Sequence, residues 1–212
     1  MKSPDTLLRR AEHAAISKIS LTGKVIDLGG DKKSHYQKLF QGDFLLTVLN
    51  NDPNCKPDIT HDLNKPLPIG DSSYDGALLI NVLEHIYDYR PLLRETARIL
   101  KTGGTIVIVV PFMFPYHPSP GDFHRYTKDT LILEMESLRF SSIKVEALGA
   151  GVFSACFLFI DRLMPSFIRF LSQIFIPIVV LLDKSFARTS GVLGKKYKVS
   201  DYALGYAVVG RK

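Results

Sequence analysis

Lys24-Val25-Ile26-Asp27-Leu28-Gly29-Gly30 is the stretch that decides the fold. A short apolar run carrying one carboxylate and ending in two glycines reads as a strand that runs into a tight turn. Outward from it, Ser34 to Phe40 reads as a short helix and Phe44 to Leu49 as a second strand, closed by Asn50-Asn51-Asp52-Pro53. Pro57 to Leu63 predicts a short third strand, Asn64 to Ser73 a loop, and Tyr74 to Ile80 a strongly apolar strand. Leu92, Leu93, Thr96, Ala97 and Leu100 share one helical face, with Pro91 in the first turn and Gly103-Gly104 as the expected stop. Thr105 to Val110 is a β-branched run of the kind buried on both faces. Upstream, Pro4 to Ser20 has the spacing of an amphipathic helix. Downstream, Ile143 to Ala147 and Ala203 to Val209 are further strands. Strands alternate with helices up to residue 110, which predicts right-handed crossovers and an α/β, doubly wound, mostly parallel sheet.

The chain has 212 residues, 46% of them hydrophobic, which suits one domain over 1–212 with a sizeable core. Its two cysteines, Cys55 and Cys156, are too few and too far apart for a disulfide framework or a thiolate zinc site. Met1 to Ser20 lacks the apolar stretch of a secretory signal, so the expected location is cytoplasmic. The net charge is +6, and seven basic residues fall between Lys184 and Lys212 against one acid, Asp201. A basic end favours anionic partners.

Residues 152–186 depart from a plain domain. The segment is very apolar, interrupted only at Asp161, Arg162, Arg169, Asp183 and Lys184. Its longest charge-free stretch, Phe170 to Leu182, has 13 residues, short of the ~20 that a spanning helix needs. The expectation is an apolar helical insert before the last strand. It would lie in a membrane interface on the cytoplasmic face or cover the acceptor, with a core helix pair or a homodimer contact as the alternatives.

In a doubly wound sheet the ligand sits beyond the carboxyl ends of the strands. Asp27, Gly29 and Gly30 stand at such an end, and glycine lets a backbone approach a ligand closely. Asn50 and Asp52 close the second strand, where an acceptor for ribose hydroxyls belongs. A second group, His117, Asp122, His124, Arg125 and Tyr126, crowds one proline-rich loop after the strand ending at Val110. A histidine there would take a proton from an acceptor hydroxyl, and Arg125 would bind a phosphate or carboxylate. The alternative is an Asp122–Arg125 pair that only braces the loop. No metal site is expected, because His117 and His124 are seven apart and lack a third placed ligand. Glu84-His85, next to Asn81, reads as structural.

The ordered pieces Val25-Ile26-Asp27-Leu28-Gly29, Asp58 to Leu63, Leu67-Pro68, Tyr74-Asp75, Asn81-Val82-Leu83-Glu84-His85, Arg98 to Gly104, and Val110-Pro111-Phe112 resemble the class I S-adenosylmethionine-dependent methyltransferases, in particular small bacterial ones associated with glycan biosynthesis. The resemblance covers about residues 23 to 130. It implies a seven-stranded Rossmann-like sheet with an antiparallel last strand and S-adenosylmethionine as cofactor. It places Asp27 and Gly29, with Gly30, at the methionine end, Asn50 at the ribose, Asp62 at the adenine amino group and Asn81 under the methionine moiety. His117 and His124 become catalytic candidates, and Asp122, Arg125 and Tyr126 acceptor-binding ones.

Two departures stand out. Asp31, Lys32 and Lys33 occupy the positions of the family's further loop glycines, and Asn50 replaces its acid. The expected function is methyl transfer to a small or lipid-linked, glycan-related acceptor. A non-catalytic scaffold or binding protein is the second reading. A nucleic-acid methyltransferase is disfavoured, since the chain lacks basic-aromatic interleaving.

Overall fold

The computed structural model describes residues 5–149, 151–189 and 198–212. Lys195 and Lys196 of the basic tail, and Met1 to Pro4, lie outside the described residues. The strands are β1 (Gly23–Leu28), β2 (Phe44–Asn50), β3 (Ile59–Thr60), β4 (Tyr74–Ile80), β5 (Leu100–Pro111), β6 (Ser141–Leu148) and β7 (Gly205–Arg211). They form one seven-stranded sheet in the order β3-β2-β1-β4-β5-β7-β6. The first five are parallel, and β7 runs antiparallel to both β5 and β6.

The central strands are buried on both faces, and their alternation sorts side chains into two cores. Ile106, Ile108 and Val110 of β5 face one side with Leu92, Leu93, Leu131 and Met135. The latter come from α2 (Tyr89–Ile99) and α3 (Lys128–Ser137). Val107 and Val109 face the other side with Leu7, Leu8 and Ile16 of α1 (Leu7–Ile16). Leu158 and Ile176 complete that side. They belong to α4 (Val152–Leu163) and α6 (Ile176–Thr189), which with α5 (Ser166–Ser172) build the insert.

The sequence reading needs five corrections. The helix expected over 34–40 is a single 3₁₀ turn, Tyr36–Leu39. The third strand shrinks to two residues. The helix before β5 ends at Leu100, whose backbone is already extended, and Gly103-Gly104 lie inside the strand. Helix α3 escaped notice, although Thr127 caps it by accepting from the Thr130 amide at 3.2 Å. Finally, Ile168–Arg188 is a helical run of 21 residues, by length and composition alone enough to cross a membrane. Counting only the charge-free stretch underestimated it, because the run continues through Arg169 and Asp183.

Those interrupting charges are structural. Asp183 is buried, and its carboxylate accepts from the Phe153 and Ser154 amides at 2.9 Å each and from the Ser154 hydroxyl at 2.6 Å. It thus caps the N-terminus of α4 from a different helix. Asp161, also buried, accepts from Ser172 Oγ at 2.5 Å. Asp183→Ala should leave the first-turn amides of α4 without their acceptor and lower unfolding stability by about 1–3 kcal/mol. Urea denaturation and limited proteolysis within residues 152–189 measure it; unchanged values would mean that α6 holds to α4 by apolar packing alone.

Candidate active site

Strands β1 and β4 are neighbours, but the chain leaves them toward opposite edges of the sheet, so a cleft opens at their carboxyl ends. Two cavities lie there. One, about 660 Å³, is walled by Asn50, Asp52, Asp62, Leu63, Val82, Ile86 and Phe123 among others. The other, about 430 Å³, is walled by residues that include Arg9, Glu12, Asp31, Phe114, His117 and Arg162. Gly29, Asn81 and His85 belong to both walls.

Gly29 holds the junction. Its φ of +84° is a left-handed value, and a Cβ there would meet Val82 Cγ2 at 2.7 Å. Asn81, at the end of β4, also has positive φ, +54°, which asparagine tolerates better than most residues.

Asp27 is fully buried and is absent from both walls. Its Oδ2 accepts from Tyr36 OH at 2.6 Å and Gln37 Nε2 at 2.7 Å, against the face of Gly30. It therefore props the turn from below. Burial pushes its carboxyl up to about 6, partly offset by those two donors. Gly30 likewise lines neither cavity. Asn50 is spent on the same turn: its amide donates to the Gly29 and Gly30 carbonyls at 3.0 and 2.8 Å, and its Oδ1 accepts from the Asp52 amide. Lys32 bonds the Asp58 carboxylate, and Lys33 Nζ donates to Asn54 O at 3.1 Å. The lysines where further glycines were expected are thus turned away from the cleft, as struts to the β2–β3 connection. Asp52 and Asp62 do face the larger cavity, the latter held below the usual carboxylate range by donation from the Asn64 amide.

The loop after β5 divides. His117 lines the smaller cavity. Its imidazole is raised above its ordinary value, first by the Glu84 carboxylate and against the effect of burial. Asp122 and Arg125 form the bracing pair: Arg125 Nη2 donates to Asp122 Oδ2 at 2.6 Å, Nη1 to the other oxygen at 2.5 Å, and the guanidinium also reaches the His124, Phe114 and Pro115 carbonyls. Arg125 holds Asp122 far below the usual carboxylate range. Neither lines a cavity wall, so the acceptor-binding role read for them is corrected to positioning. Tyr126 is a core residue, donating to Leu83 O at 2.9 Å. His124 stacks among Tyr87, Tyr89 and Tyr126, bonded to Tyr87 O and outside both cavities. Its place does not suit the proton transfer expected of it.

One member was missed altogether. Glu12 of α1 is 2% exposed yet lines the smaller cavity. It pairs with Arg9 at 3.1 Å and has Asn81 as a side-chain partner, but burial still pushes its carboxyl up to about 7. The signal was present, since Leu8, Glu12, Ala15 and Ile19 fall on one helical face.

A family described as "Methyltransferase domain" matches residues 41–108, roughly a third of the chain. A "Probable S-adenosylmethionine-dependent methyltransferase" of Mycobacterium tuberculosis is 29% identical over 91 residues, 41% of this chain and 32% of that protein. The chain spans a third or less of the length of the curated relatives it matches. Among solved structures, phosphoethanolamine N-methyltransferase 2 of Haemonchus contortus, in complex with S-adenosylmethionine, superposes with a TM-score of 0.57 at 16% identity. That match covers 95% of this chain and 52% of the other. The [4+2]-cyclase SpnF gives 0.60 at 15% identity, covering 100% and 84%. The architecture is the Rossmann-like methyltransferase fold. The sequence match over residues 41–108 agrees with that architecture.

Glu12 gives the site a pH signature. Below pH 4.5 its carboxyl is protonated in both the folded and unfolded chains. Between 4.5 and about 7 the unfolded chain releases a proton that the folded protein keeps, so folding stability falls as pH rises through that window. Glu12→Gln should therefore raise stability by up to about 3 kcal/mol at pH 8 and change little at pH 4. Urea denaturation at the two pH values checks this; an equal effect at both would assign the cost to packing instead.

Proposed function

We propose that the chain transfers a methyl group from S-adenosylmethionine to a polar group of an amphiphilic acceptor held at a membrane surface. The observation that carries the methyl-transfer reading is the pair of cavities meeting at Gly29, Asn81 and His85. The larger one suits the adenosine portion. Asp52 and Asp62 offer acceptors to hydroxyl and amino donors, and Leu63, Val82 and Ile86 offer an apolar wall to a purine. The smaller one suits the amino-acid portion and the acceptor. Glu12 Oε2 is buried and has the Arg9 guanidinium 3.1 Å away but no hydrogen bond, so this carboxyl could also answer an ammonium group. S-adenosylmethionine supplies a methyl group on a positively charged sulfonium. The protein's own work is to align the acceptor atom behind that methyl group and exclude water, with a proton acceptor only if the nucleophile carries a proton. Glu12, His85 and His117 are among the titratable side chains on that wall, with Asp5 and Asp31.

The amphiphile part of the reading rests on the insert. Phe159, Leu163, Phe170, Leu171, Ile174, Phe175, Leu181 and Leu182 are all exposed, Leu163 by 85% and Ile174 by 69%. Exposed Arg162, Lys184 and Arg188 flank them, a pairing of apolar and basic side chains that fits an anionic lipid surface. Arg162 also lines the smaller cavity, so the insert borders the acceptor side of the site. A lipid-linked glycan precursor on the cytoplasmic face is the acceptor class that fits this placement.

Calorimetry with S-adenosylhomocysteine should give one site, weakened at least tenfold by Gly29→Val and by Asp62→Ala. No binding at millimolar ligand would leave the scaffold reading. Independently, the protein should float with vesicles containing anionic lipid, be partly released by high salt, and lose flotation on Phe170→Glu with Ile174→Glu while keeping S-adenosylhomocysteine affinity. A salt-insensitive association that needs detergent would instead make Ile168–Arg188 a spanning helix. A stable dimer that ignores vesicles would make the insert a subunit interface.

A further inference from the structure

Glu84 has a fully buried side chain, and neither of its carboxylate oxygens has a hydrogen-bond partner. It stands with His85 on the 3₁₀ turn Leu83–His85 that follows β4. His117 reaches the same point from the loop after β5. Glu84 Oε1 lies 3.8 Å from His85 Nε2 and 3.9 Å from His117 Nε2, too far for hydrogen bonds. The two rings are 5.2 Å apart and nearly perpendicular.

The other nitrogen of each ring fixes what these atoms can be. His85 Nδ1 is 2.5 Å from Gly121 O, and His117 Nδ1 is 3.0 Å from Pro115 O. A carbonyl oxygen only accepts, so both Nδ1 atoms carry hydrogen. In the neutral ring, each Nε2 then presents a lone pair toward Glu84. With the rings neutral, two nitrogen lone pairs and a carboxylate oxygen converge on one point, an arrangement that a cation completes. Histidines anchored to backbone carbonyls through the far nitrogen are the usual support of metal ligands. The three ligand atoms lie within 4.8 Å of one another. Metal bonds of ~2.1 Å to imidazole and carboxylate need spacings of roughly 3.0–3.4 Å, reached by small side-chain shifts.

We propose that Glu84, His85 and His117 bind one first-row transition-metal dication of the zinc type, whose remaining positions open into the cavity lined by Asn81, Phe114 and Glu12 and take an oxygen of the methyl acceptor. Two imidazoles with one carboxylate select such an ion over magnesium or calcium, which prefer all-oxygen sets. The proposal departs from the expectation of no metal. That expectation tested His117 against His124, whereas the structure sets His117 beside Glu84 and His85. Binding of the ion is independent of the methyl-transfer reading; its use on the acceptor rests on that reading. In that use, the hydroxyl coordinates and its proton leaves to solvent. The oxygen then takes the methyl group while the carbon–sulfur electron pair stays on sulfur, leaving a neutral thioether.

The test is calorimetry and elemental analysis on chelator-stripped full-length protein with zinc, manganese and magnesium chlorides. One equivalent of zinc is expected, with magnesium at least a hundredfold weaker. Glu84→Gln and His117→Ala should each weaken zinc at least tenfold, and His124→Ala should leave it unchanged. Because Glu84 is buried, circular dichroism must show that Glu84→Gln is folded; His117, on a half-exposed loop, carries the test if it is not. Absence of a stoichiometric site, unaltered zinc affinity in His117→Ala, or equal affinity for magnesium would overturn the proposal. S-adenosylhomocysteine binding to the stripped protein separates this failure from failure of the methyl-transfer reading.

Discussion

Three carboxylates, Glu12, Asp27 and Glu84, are withdrawn from water around the place where β1 and β4 part. Every buried side-chain polar atom without a hydrogen-bond partner among the described residues belongs to one of them. An isolated buried carboxylate is costly to ionise, so a fold keeps one only where a proton, a cation or a donor can answer it. Each meets the demand differently. Asp27 takes donors from Tyr36 and Gln37 and becomes part of the turn. Glu12 holds a proton up to about pH 7. Glu84 faces two imidazole nitrogens. The cleft is therefore organised by three buried carboxyl groups, a set of acceptors that suits a ligand bringing a sulfonium and an ammonium.

The glycine turn carries that charge economically. Asp27 presses on Gly30 from below, and Asn50 bonds the Gly29 and Gly30 carbonyls from the side. Lys32 and Lys33 tie the continuing loop to Asp58 and Asn54. Asparagine at position 50 is consistent with this. A carboxylate there would have no hydrogens to offer two carbonyls, whereas the amide has two. The acceptors that face the larger cavity are instead Asp52 and Asp62.

The sheet was legible because its central strands are buried on both faces and read as short apolar runs; Ala77–Ile80 and Thr105–Val110 could be little else. Helix α3 was not, because Leu131, Ile132, Leu133 and Met135 sit too close together to show a stripe, and only Leu131 and Met135 are buried. In the site, Gly29 and Asp52 were visible as strand-end residues, while Asn81 and Asp62 came only through the family resemblance. Tyr126 and His124 were misread since a titratable residue in a crowded loop looks alike whether it faces a cavity or a core. Glu12 was passed over, and Glu84 read as structural, for the opposite reason: an acid in an apolar pattern declares itself only once its surroundings are known.

The loop after β5 shows how such a site keeps its geometry. Asp122 accepts from the His117 amide at 2.9 Å and is clamped by the fork of Arg125, whose remaining donors fasten three backbone carbonyls of the same loop. One planar guanidinium thus fixes both the backbone that carries His117 and the acid beside it. A lysine offers a single point of charge with no planar fork, so it could hold Asp122 or the carbonyls, but not all of them in one plane. The residues closest in sequence to His117 therefore act on the chemistry only through it. What they determine is where one imidazole nitrogen stands relative to Glu84 and His85, and the arrangement of all three follows from that position.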